Sequence, residues 1–143
     1  MSHIVLPDAF PCAFCDYLSG ARPYTVVFRE ELAAILVTRE QRGASHVLVV
    51  PVRHAPTVLD LRDDESHAVI DLTRRAASAI DQADRRPGIS IWQNNGVEAN
   101  QAIPHFHIHV AGTVPGGGTE WDDVDELSIS ETDLIAERLR PYL

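Results

Sequence analysis

Three histidines alternate with apolar residues late in the chain, at His105, His107 and His109. The run reads His-Phe-His-Ile-His-Val over residues 105–110. Successive side chains of a β-strand point to opposite faces, so the run predicts a strand with three imidazoles on one face and three apolar groups on the other. The apolar face belongs in a core, but packing does not explain three titratable rings on one face. We therefore interpret the run as a functional site.

This histidine run is compatible with three kinds of chemistry. Neutral imidazoles two residues apart can share one zinc ion. Alternatively, one imidazole nitrogen can attack phosphorus while a neighbouring imidazole binds the oxyanion. A division of the rings between metal binding and catalysis is the third interpretation. The alternative without function is a face of solvated or hydrogen-bonded histidines, which is the ordinary explanation for a lone histidine.

The two cysteines of the chain, Cys12 and Cys15, form a Cys-x-x-Cys motif. This is the spacing of half a tetrahedral zinc site. Two unconnected reduced thiols are the simpler alternative. A redox pair is disfavoured because the motif does not follow a strand into a helix, as it would in a thioredoxin-like site. The histidines that could complete four ligands are His46, His54 and His105.

Polar amides lie between the last two predicted strands. Turn chemistry alone explains the sequence Asn-Asn-Gly that starts at Asn94, whereas Gln101 has less local justification. Amides close to a histidine cluster can bind phosphate or sugar oxygens, so both residues are candidates for ligand binding. His3 and His67 have no supporting context, and we assign them no role.

The remaining patterns predict the elements that position these residues. Four strands are predicted before the histidine run, at residues 24–28, 32–37, 45–52 and 89–93. Residues 61–83 repeat apolar side chains at helical spacing and form the main helix. A sequence similar to a capping box, beginning at Ser130, predicts a final helix. The short connections between most strands indicate an α+β fold with a mainly antiparallel sheet.

Length and charge restrict the class of protein. A chain of 143 residues fits one domain with a sizeable core. The net charge of −9 argues against a broad nucleic-acid-binding surface and against binding to anionic membranes, although a pocket can still be locally positive. The chain shows neither a cationic leader nor an apolar run long enough for a membrane helix. We therefore expect a cytoplasmic protein without nucleic-acid or membrane partners.

The residues quoted above resemble the histidine-triad (HIT) family, whose signature is His-φ-His-φ-His-φ-φ with φ apolar. Here the signature lies at residues 105–111, and residues 101–104 resemble the segment that precedes it in the family. Residues 45–54 resemble the family segment Gly-His-φ-Leu-Val-φ-Pro-x-x-His, with serine in place of glycine. Residues 12–15 match the Cys-x-Phe-Cys of a zinc-containing bacterial branch.

The resemblance implies a fold and an assembly. The motifs follow the family order over residues 12–111, so a single HIT domain would span residues 1–143, with residues 112–143 as a C-terminal extension. The expected HIT-like fold is a five-stranded antiparallel sheet with one long helix, to which this chain adds its C-terminal helix. Members of the family are usually homodimers.

The resemblance also implies chemistry at the α-phosphorus of a nucleotide. Carried over by position, His107 is the nucleophile that forms a nucleotidyl-histidine intermediate, and His109 holds the phosphate oxygens. His46 would support these groups from behind or lie beside the phosphate. The expected substrate contacts are Asn94 and Gln101 at the phosphate, Phe14, Tyr17 and Leu36 near the base, and Thr38 at the ribose.

The metal ligands implied by the zinc-containing branch are Cys12, Cys15, His54 and His105. One histidine of the run would then bind metal and two would carry the chemistry. Zinc closed by four protein ligands has no open position, so it is expected to be structural. The family's chemistry implies no magnesium requirement.

Together these features predict a zinc-containing hydrolase of nucleoside phosphoramidates or acyl-nucleotides. Three residues depart from the family pattern, of which Ser45 in place of glycine is a minor change. Ala102 replaces a Ser or Thr that hydrogen-bonds the leaving group, a loss that can cost about a hundredfold in rate. Thr38 replaces an Asp or Asn that holds the ribose. The alternatives are a dinucleoside polyphosphate hydrolase or nucleotidyl transferase, a nucleotide-binding protein with a residual site, and a metalloenzyme that uses all three histidines.

Overall fold

The computed structural model describes residues 1–143. The strands are β1 Val26–Arg29, β2 Ala33–Val37, β3 Ala44–Pro51, β4 Ile89–Trp92 and β5 Ile108–Gly112. The helices are α1 Ala13–Ser19, α2 Asp63–Asp84 and α3 Ile129–Leu139. The strands form one antiparallel sheet in the order β1-β2-β3-β5-β4, which confirms the predicted α+β fold. None of the helices combines the length and apolar composition that a membrane-spanning segment requires.

The two faces of the sheet are covered by different layers. Helix α2 packs across one face, against β2, β3 and β5. Alternation along the strands directs Ile35, Val49 and Val110 to that face, where they form the main hydrophobic core with α2. The short helix α1 covers part of the opposite face, where Phe14 and Leu48 belong to a smaller cluster. Because α2 fills the first face, a polar site on the sheet can form only on the second.

An ion pair with a buried carboxylate holds the segment after β3 against the start of α2. The Glu65 carboxylate is 2% exposed and accepts hydrogen bonds from Arg53 Nε at 2.9 Å and Arg53 Nη2 at 2.8 Å. It also accepts the Arg62 main-chain N–H at 2.9 Å. The Arg53 guanidinium holds the pKa of the Glu65 carboxyl below its ordinary value. A bidentate pair of this kind fixes geometry, so it restrains the neighbouring His54 as well.

Two element boundaries differ from the sequence-based prediction. Strand β5 begins only at Ile108, because the Phe106 N–H donates to the Ala55 main-chain oxygen and not to a neighbouring strand. Helix α3 is capped two residues earlier than predicted. The Ser128 hydroxyl accepts the Glu131 N–H, and the Glu131 carboxylate accepts the Ser128 N–H, which is the reciprocal pattern of a capping box.

Candidate active site

The histidine run lies where β5 begins, on the sheet face that α2 leaves open. Its apolar residues enter the main core, which contains Phe106, Ile108 and Val110. Alternation then directs the imidazoles of His105, His107 and His109 to the opposite face. The two faces predicted for this run are therefore present, although only His109 lies within the strand itself.

Hydrogen bonds determine which nitrogen of each imidazole carries a proton. The Arg42 main-chain N–H donates to His46 Nδ1 at 3.1 Å, so neutral His46 carries its proton on Nε2. His46 Nε2–H donates to His109 Nδ1 at 3.0 Å, which leaves the His109 proton on Nε2. His107 Nδ1–H donates to the His105 main-chain oxygen at 2.7 Å, which leaves a lone pair on His107 Nε2. The site thus presents a nucleophilic nitrogen beside an N–H donor.

Burial keeps these imidazoles neutral. It lowers the pKa of His46 to about 4. Burial, together with the nearby His107, His46 and Arg42, lowers the pKa of His109 to about 2. Burial also lowers the pKa of His107. A neutral imidazole retains the lone pair that nucleophilic attack requires, so His107 is in its reactive form near neutral pH.

Four candidate metal ligands converge at the other end of the run. Cys12, Cys15, His54 and His105 each place one sulfur or nitrogen atom within 4.8 Å of the others. The sulfur–nitrogen distances are 3.4 Å for Cys12–His105, 3.6 Å for Cys15–His105 and 3.5 Å for Cys15–His54. Ordinary Zn–S and Zn–N bonds in a tetrahedral site place sulfur and nitrogen about 3.5 Å apart. The four residues therefore have both the donor set and the spacing of a tetrahedral metal site.

The ring of His105 is oriented for this role. His105 is fully buried, and its Nε2–H donates to the Pro51 main-chain oxygen at 2.8 Å. The lone pair of Nδ1 therefore faces the two sulfur atoms, an arrangement common among metal-binding histidines. Burial and the neighbouring Cys12 raise the pKa of the Cys15 thiol to about 11. A thiolate is unfavourable in this setting unless a cation lies among the four ligands.

The four candidate metal ligands and His107 are connected through His105. Its side chain belongs to the cluster, and its main-chain oxygen accepts the Nδ1–H of His107. Phe14, which lies between the two cysteines in sequence, contacts both rings edge-on, with centroids 5.7 Å from His105 and 5.0 Å from His107. A change in the cluster can therefore shift the ring of His107.

A first cavity of about 230 Å³ opens on one side of His107 and His109. Tyr17 and Tyr24 form part of its wall, stacked with centroids 3.8 Å apart and planes 3° apart. Apolar and aromatic walls with a polar edge suit a flat ring system that carries hydroxyl groups. Three residues predicted to contact substrate line this cavity: Phe14, Tyr17 and Thr38.

A second cavity of about 440 Å³ opens on the other side of the same imidazoles. Asn94 lines it, and Ala102 lines both cavities. The Trp92 indole lies flat against the His109 ring, with centroids 4.7 Å apart and planes 3° apart. Trp121 lies beside Trp92 at 5.8 Å. A group attacked by the nucleophilic nitrogen would lie where the two cavities meet.

Two residues predicted to contact substrate line neither cavity. The Gln101 amide is engaged by the protein, because Oε1 accepts the Gly96 N–H and Nε2 donates to the main-chain oxygens of Pro56 and Ile103. The side chain of Gln101 therefore holds the loop before the histidine run. Leu36 is fully buried in the smaller cluster, where it packs with Phe14 and Leu48, two residues that line the first cavity.

Three further residues lie at this site and were not predicted from the sequence: Arg42, Trp92 and Trp121. Trp92 is at the end of the edge strand β4, and Trp121 belongs to the loop between β5 and α3. Arg42 donates from Nη1 to the main-chain oxygens on both sides of Trp121. A tryptophan in an acidic, glycine-containing loop does not contribute to a hydrophobic core. Its presence in the sequence could therefore have indicated contact with a ligand.

Comparison with known proteins shows which family this sequence is similar to. The family model for the HIT domain matches residues 19–115. Protein hit of Bacillus subtilis is 27% identical over 140 residues, which cover 90% of this chain and 94% of that protein. An adenosine 5'-monophosphoramidase of Schizosaccharomyces pombe is 26% identical over 99 residues, covering 69% of this chain and 71% of that protein.

A solved structure shows the same fold. The crystal structure of a Zn-bound histidine triad family protein from Mycobacterium smegmatis superposes with a TM-score of 0.78, at 23% identity and with 92% of each chain covered. The family model extends from the end of α1 through the histidine run, which is more than half of the chain. On this match, and with the histidine signature in place on the sheet, the chain belongs to the HIT domain family.

Proposed function

We propose that this protein hydrolyses nucleotides at the α-phosphorus through a nucleotidyl-histidine on His107, with nucleoside phosphoramidates or acyl-nucleotides as substrates. The observation that carries the proposal is the proton pattern at the junction of the two cavities. His107 Nε2 carries a free lone pair, and the neighbouring His109 presents Nε2–H, with ring centroids 5.0 Å apart. The similarity to an adenosine 5'-monophosphoramidase supports the substrate class.

The reaction follows in two steps. The lone pair of His107 Nε2 forms a bond to phosphorus. The bond between phosphorus and the leaving group breaks, and the leaving group keeps the electron pair. The departing atom then takes one proton from water, while His109 Nε2–H donates to a non-bridging phosphate oxygen. In the second step water attacks the phosphorus, the bond to His107 breaks, and one proton passes to solvent. A covalent intermediate replaces one difficult displacement by two easier ones.

Other residues hold these groups in place. The His105 main-chain oxygen stabilises the positive charge that develops on His107 during attack, because it accepts the Nδ1–H. His46 donates to His109 and so keeps that ring oriented with its own proton toward substrate. In this proposal the first cavity holds the nucleoside, with Phe14 and Tyr17 at the base and Thr38 at the ribose, and Asn94 lies on the leaving-group side.

We further propose that Cys12, Cys15, His54 and His105 bind a structural zinc ion. The donor set and the sulfur–nitrogen distances of 3.4 to 3.6 Å support this assignment. A bound zinc ion with four protein ligands supplies a fixed crosslink and no activated water. These residues would join the N-terminal segment to the histidine run, which keeps Phe14 against the ring of His107.

The expected homodimer and cytoplasmic location remain predictions. Light scattering after gel filtration tests the first, and fractionation of cells that express the protein tests the second. Neither is needed for the proposed chemistry, since one chain supplies both imidazoles and both cavities.

One observation favours a second candidate function, that of a nucleotide-binding protein with weak catalysis. Residue 102 lines both cavities, at the position where a leaving group would part from phosphorus. An alanine there offers no hydrogen-bond donor. Loss of one such donor typically costs about a hundredfold or more in rate.

Release of nucleoside monophosphate tests the proposal. The wild type, His107→Ala and the control His67→Ala, whose histidine is exposed on α2, would be incubated with adenosine phosphoramidates, acyl-adenylates and dinucleoside polyphosphates. We expect release, and an intact-protein mass increase of one nucleotidyl group, for the wild type and His67→Ala only. Equal release by His107→Ala would refute the covalent mechanism. Binding without release by the wild type would favour the second candidate.

A further inference from the structure

We propose that the second cavity selects a planar aromatic leaving group without negative charge, and that Trp121 recognises it. This inference rests on the proposed function, because it names the group that departs from phosphorus. It also separates the phosphoramidate reaction from hydrolysis of dinucleoside polyphosphates, which would use the same histidine.

The size of the second cavity is the first argument. At about 440 Å³ it is nearly twice as large as the nucleoside cavity of about 230 Å³. Both cavities share the imidazoles of His107 and His109, so one must take the nucleoside and the other the leaving group. A leaving group as small as ammonia would leave most of the larger cavity to water. The dimensions therefore fit a bulky leaving group.

The aromatic lining is the second argument. Trp92 is stacked on His109, so one of its faces is already occupied. Trp121 is tilted 56° to Trp92 and is 74% exposed, so most of its surface is free to contact a ligand. An exposed indole beside a reactive centre offers a flat, apolar surface, and aromatic groups bind such a surface by stacking or edge-on contact.

Arg42 gives Trp121 a defined position. Its Nη1 donates to the main-chain oxygens of Glu120 at 3.1 Å and Asp122 at 2.8 Å, and its main-chain oxygen accepts the Glu120 N–H at 2.8 Å. The main-chain N–H of the same residue donates to His46 Nδ1. Arg42 therefore holds both the main chain on either side of Trp121 and the ring of His46, which in turn contacts His109. These bonds keep Trp121 at the second cavity.

The charge of the rim is the third argument. The loop that carries Trp121 is acidic: five of the seven residues at 120–126 are aspartate or glutamate, of which Glu126 lines the first cavity and pairs with Arg39. Within the cavity wall itself, Glu40 lies 3.7 Å from Arg42, the only cation there. The guanidinium of Arg42 is thus already shared between a carboxylate and two main-chain oxygens. A carboxylate repels a polyphosphate that lies within a screening length of about 10 Å, so Glu40 in the cavity wall favours a neutral or cationic leaving group.

For an aromatic amine the reaction balances as follows. His107 Nε2 forms its bond to phosphorus, and the phosphorus–nitrogen bond of the substrate breaks with its electron pair on the amine. The amine takes one proton from water and departs, a second water hydrolyses the nucleotidyl-histidine, and the proton released in that step neutralises the hydroxide left by the first water. The sum is one phosphoramidate and one water giving one nucleoside monophosphate and one amine.

Matched substrates test the inference. The probes are adenosine 5'-phosphoramidates of 2-phenylethylamine, of 2-cyclohexylethylamine and of 2-(4-carboxyphenyl)ethylamine, together with diadenosine triphosphate. We expect wild-type kcat/KM to favour the phenyl over the cyclohexyl compound by about tenfold, the contribution of one aromatic contact. Trp121→Ala should bring that ratio close to one, and Trp121→Phe should retain most of it. The carboxyphenyl compound and diadenosine triphosphate should be poorer substrates than the phenyl compound.

Binding provides a second measurement that does not depend on turnover. Trp92 and Trp121 are the only tryptophans of the chain, so all tryptophan emission comes from this site. His107→Ala would be titrated with the phenyl and cyclohexyl compounds, and we expect tighter binding and a larger emission change with the phenyl compound. If no compound were hydrolysed, this result would still show that the second cavity recognises an aromatic ring, and the failure would then lie in the proposed function alone.

Several results would overturn the inference. Equal kcat/KM values and equal affinities for the phenyl and cyclohexyl compounds would remove the aromatic preference. The same ratio in Trp121→Ala as in the wild type would remove the role of Trp121. Hydrolysis of diadenosine triphosphate at least as fast as that of the phenyl compound would refute selection against negative charge.

Discussion

Acid should destabilise this protein through His46, and glutamine at that position should remove this part of the pH dependence. The imidazole of His46 is buried between an N–H donor, Arg42, and an acceptor, His109. Protonation of Nδ1 would oppose the Arg42 N–H, so the folded state holds the ring neutral. The side chain of glutamine has similar length and can still donate to His109, but it does not titrate.

The magnitude follows from the pKa. Burial lowers the pKa of His46 from its ordinary 6.5 to about 4. Between these values the unfolded chain binds a proton that the folded chain does not, so stability falls as the pH decreases; above 6.5 neither state binds it. The full effect of about 2.5 pKa units corresponds to about 3.4 kcal/mol, of which about 2 kcal/mol is lost between about pH 7.5 and about pH 5.

Urea denaturation of the wild type, His46→Gln and His67→Gln over this pH range measures the effect. We expect the unfolding free energy of the wild type to fall by about 2 kcal/mol more than that of His46→Gln. The exposed His67→Gln should follow the wild type. Release of any bound metal in acid affects all three proteins and cancels in the difference. Parallel curves for wild type and His46→Gln would show that His46 titrates alike in both states, and the assigned proton pattern would then be wrong.

Two further substitutions test the metal cluster and the leaving-group side. Cys12→Ser removes one of four ligands, so we expect less than one zinc per chain by elemental analysis and a melting temperature lower by about 5 to 10 °C, with His107 still able to form the adduct. Zinc retained at one per chain would contradict the assignment, and His3→Ala serves as the control. Ala102→Ser places a hydroxyl where the two cavities meet, so kcat for phosphoramidates should rise by about ten- to a hundredfold. Ala99→Ser makes the same change on an exposed turn, and an equal rise there would exclude a local effect.

The alternation of the histidine run could be predicted because it depends only on local geometry. Phe106 and Ile108 are driven into the core, and the imidazoles follow to the other face whether or not the segment pairs as a strand. The start of β5 could not be predicted, since it depends on the hydrogen bond from Phe106 to Ala55, far away in sequence. The start of α3 was misplaced although the pattern Ser-x-x-Glu is present at Ser128.

The candidate metal ligands, too, could be predicted only in part from the sequence. The spacing of Cys12 and Cys15 indicated half a site, but the residues alone left three histidines as partners. His46 lies within strand β3, whereas His54 follows the end of that strand at Pro51, so the two histidines occupy different positions along the sheet. Only the resemblance to a family, and then the structure, assigned His54 to the cysteines and His46 to His109.

The structure makes His107 depend on two distant parts of the chain. On one side, the main-chain oxygen of His105 holds its Nδ1–H while the side chain of His105 belongs to the metal cluster. On the other side, Arg42 orients His46, which orients His109 beside His107, and the side chain of Arg42 holds the loop of Trp121. Metal binding should therefore affect attack on phosphorus, and leaving-group binding should affect charge stabilisation. Loss of metal should consequently lower kcat for all substrates by a similar factor, whereas changes at Trp121 should discriminate between leaving groups.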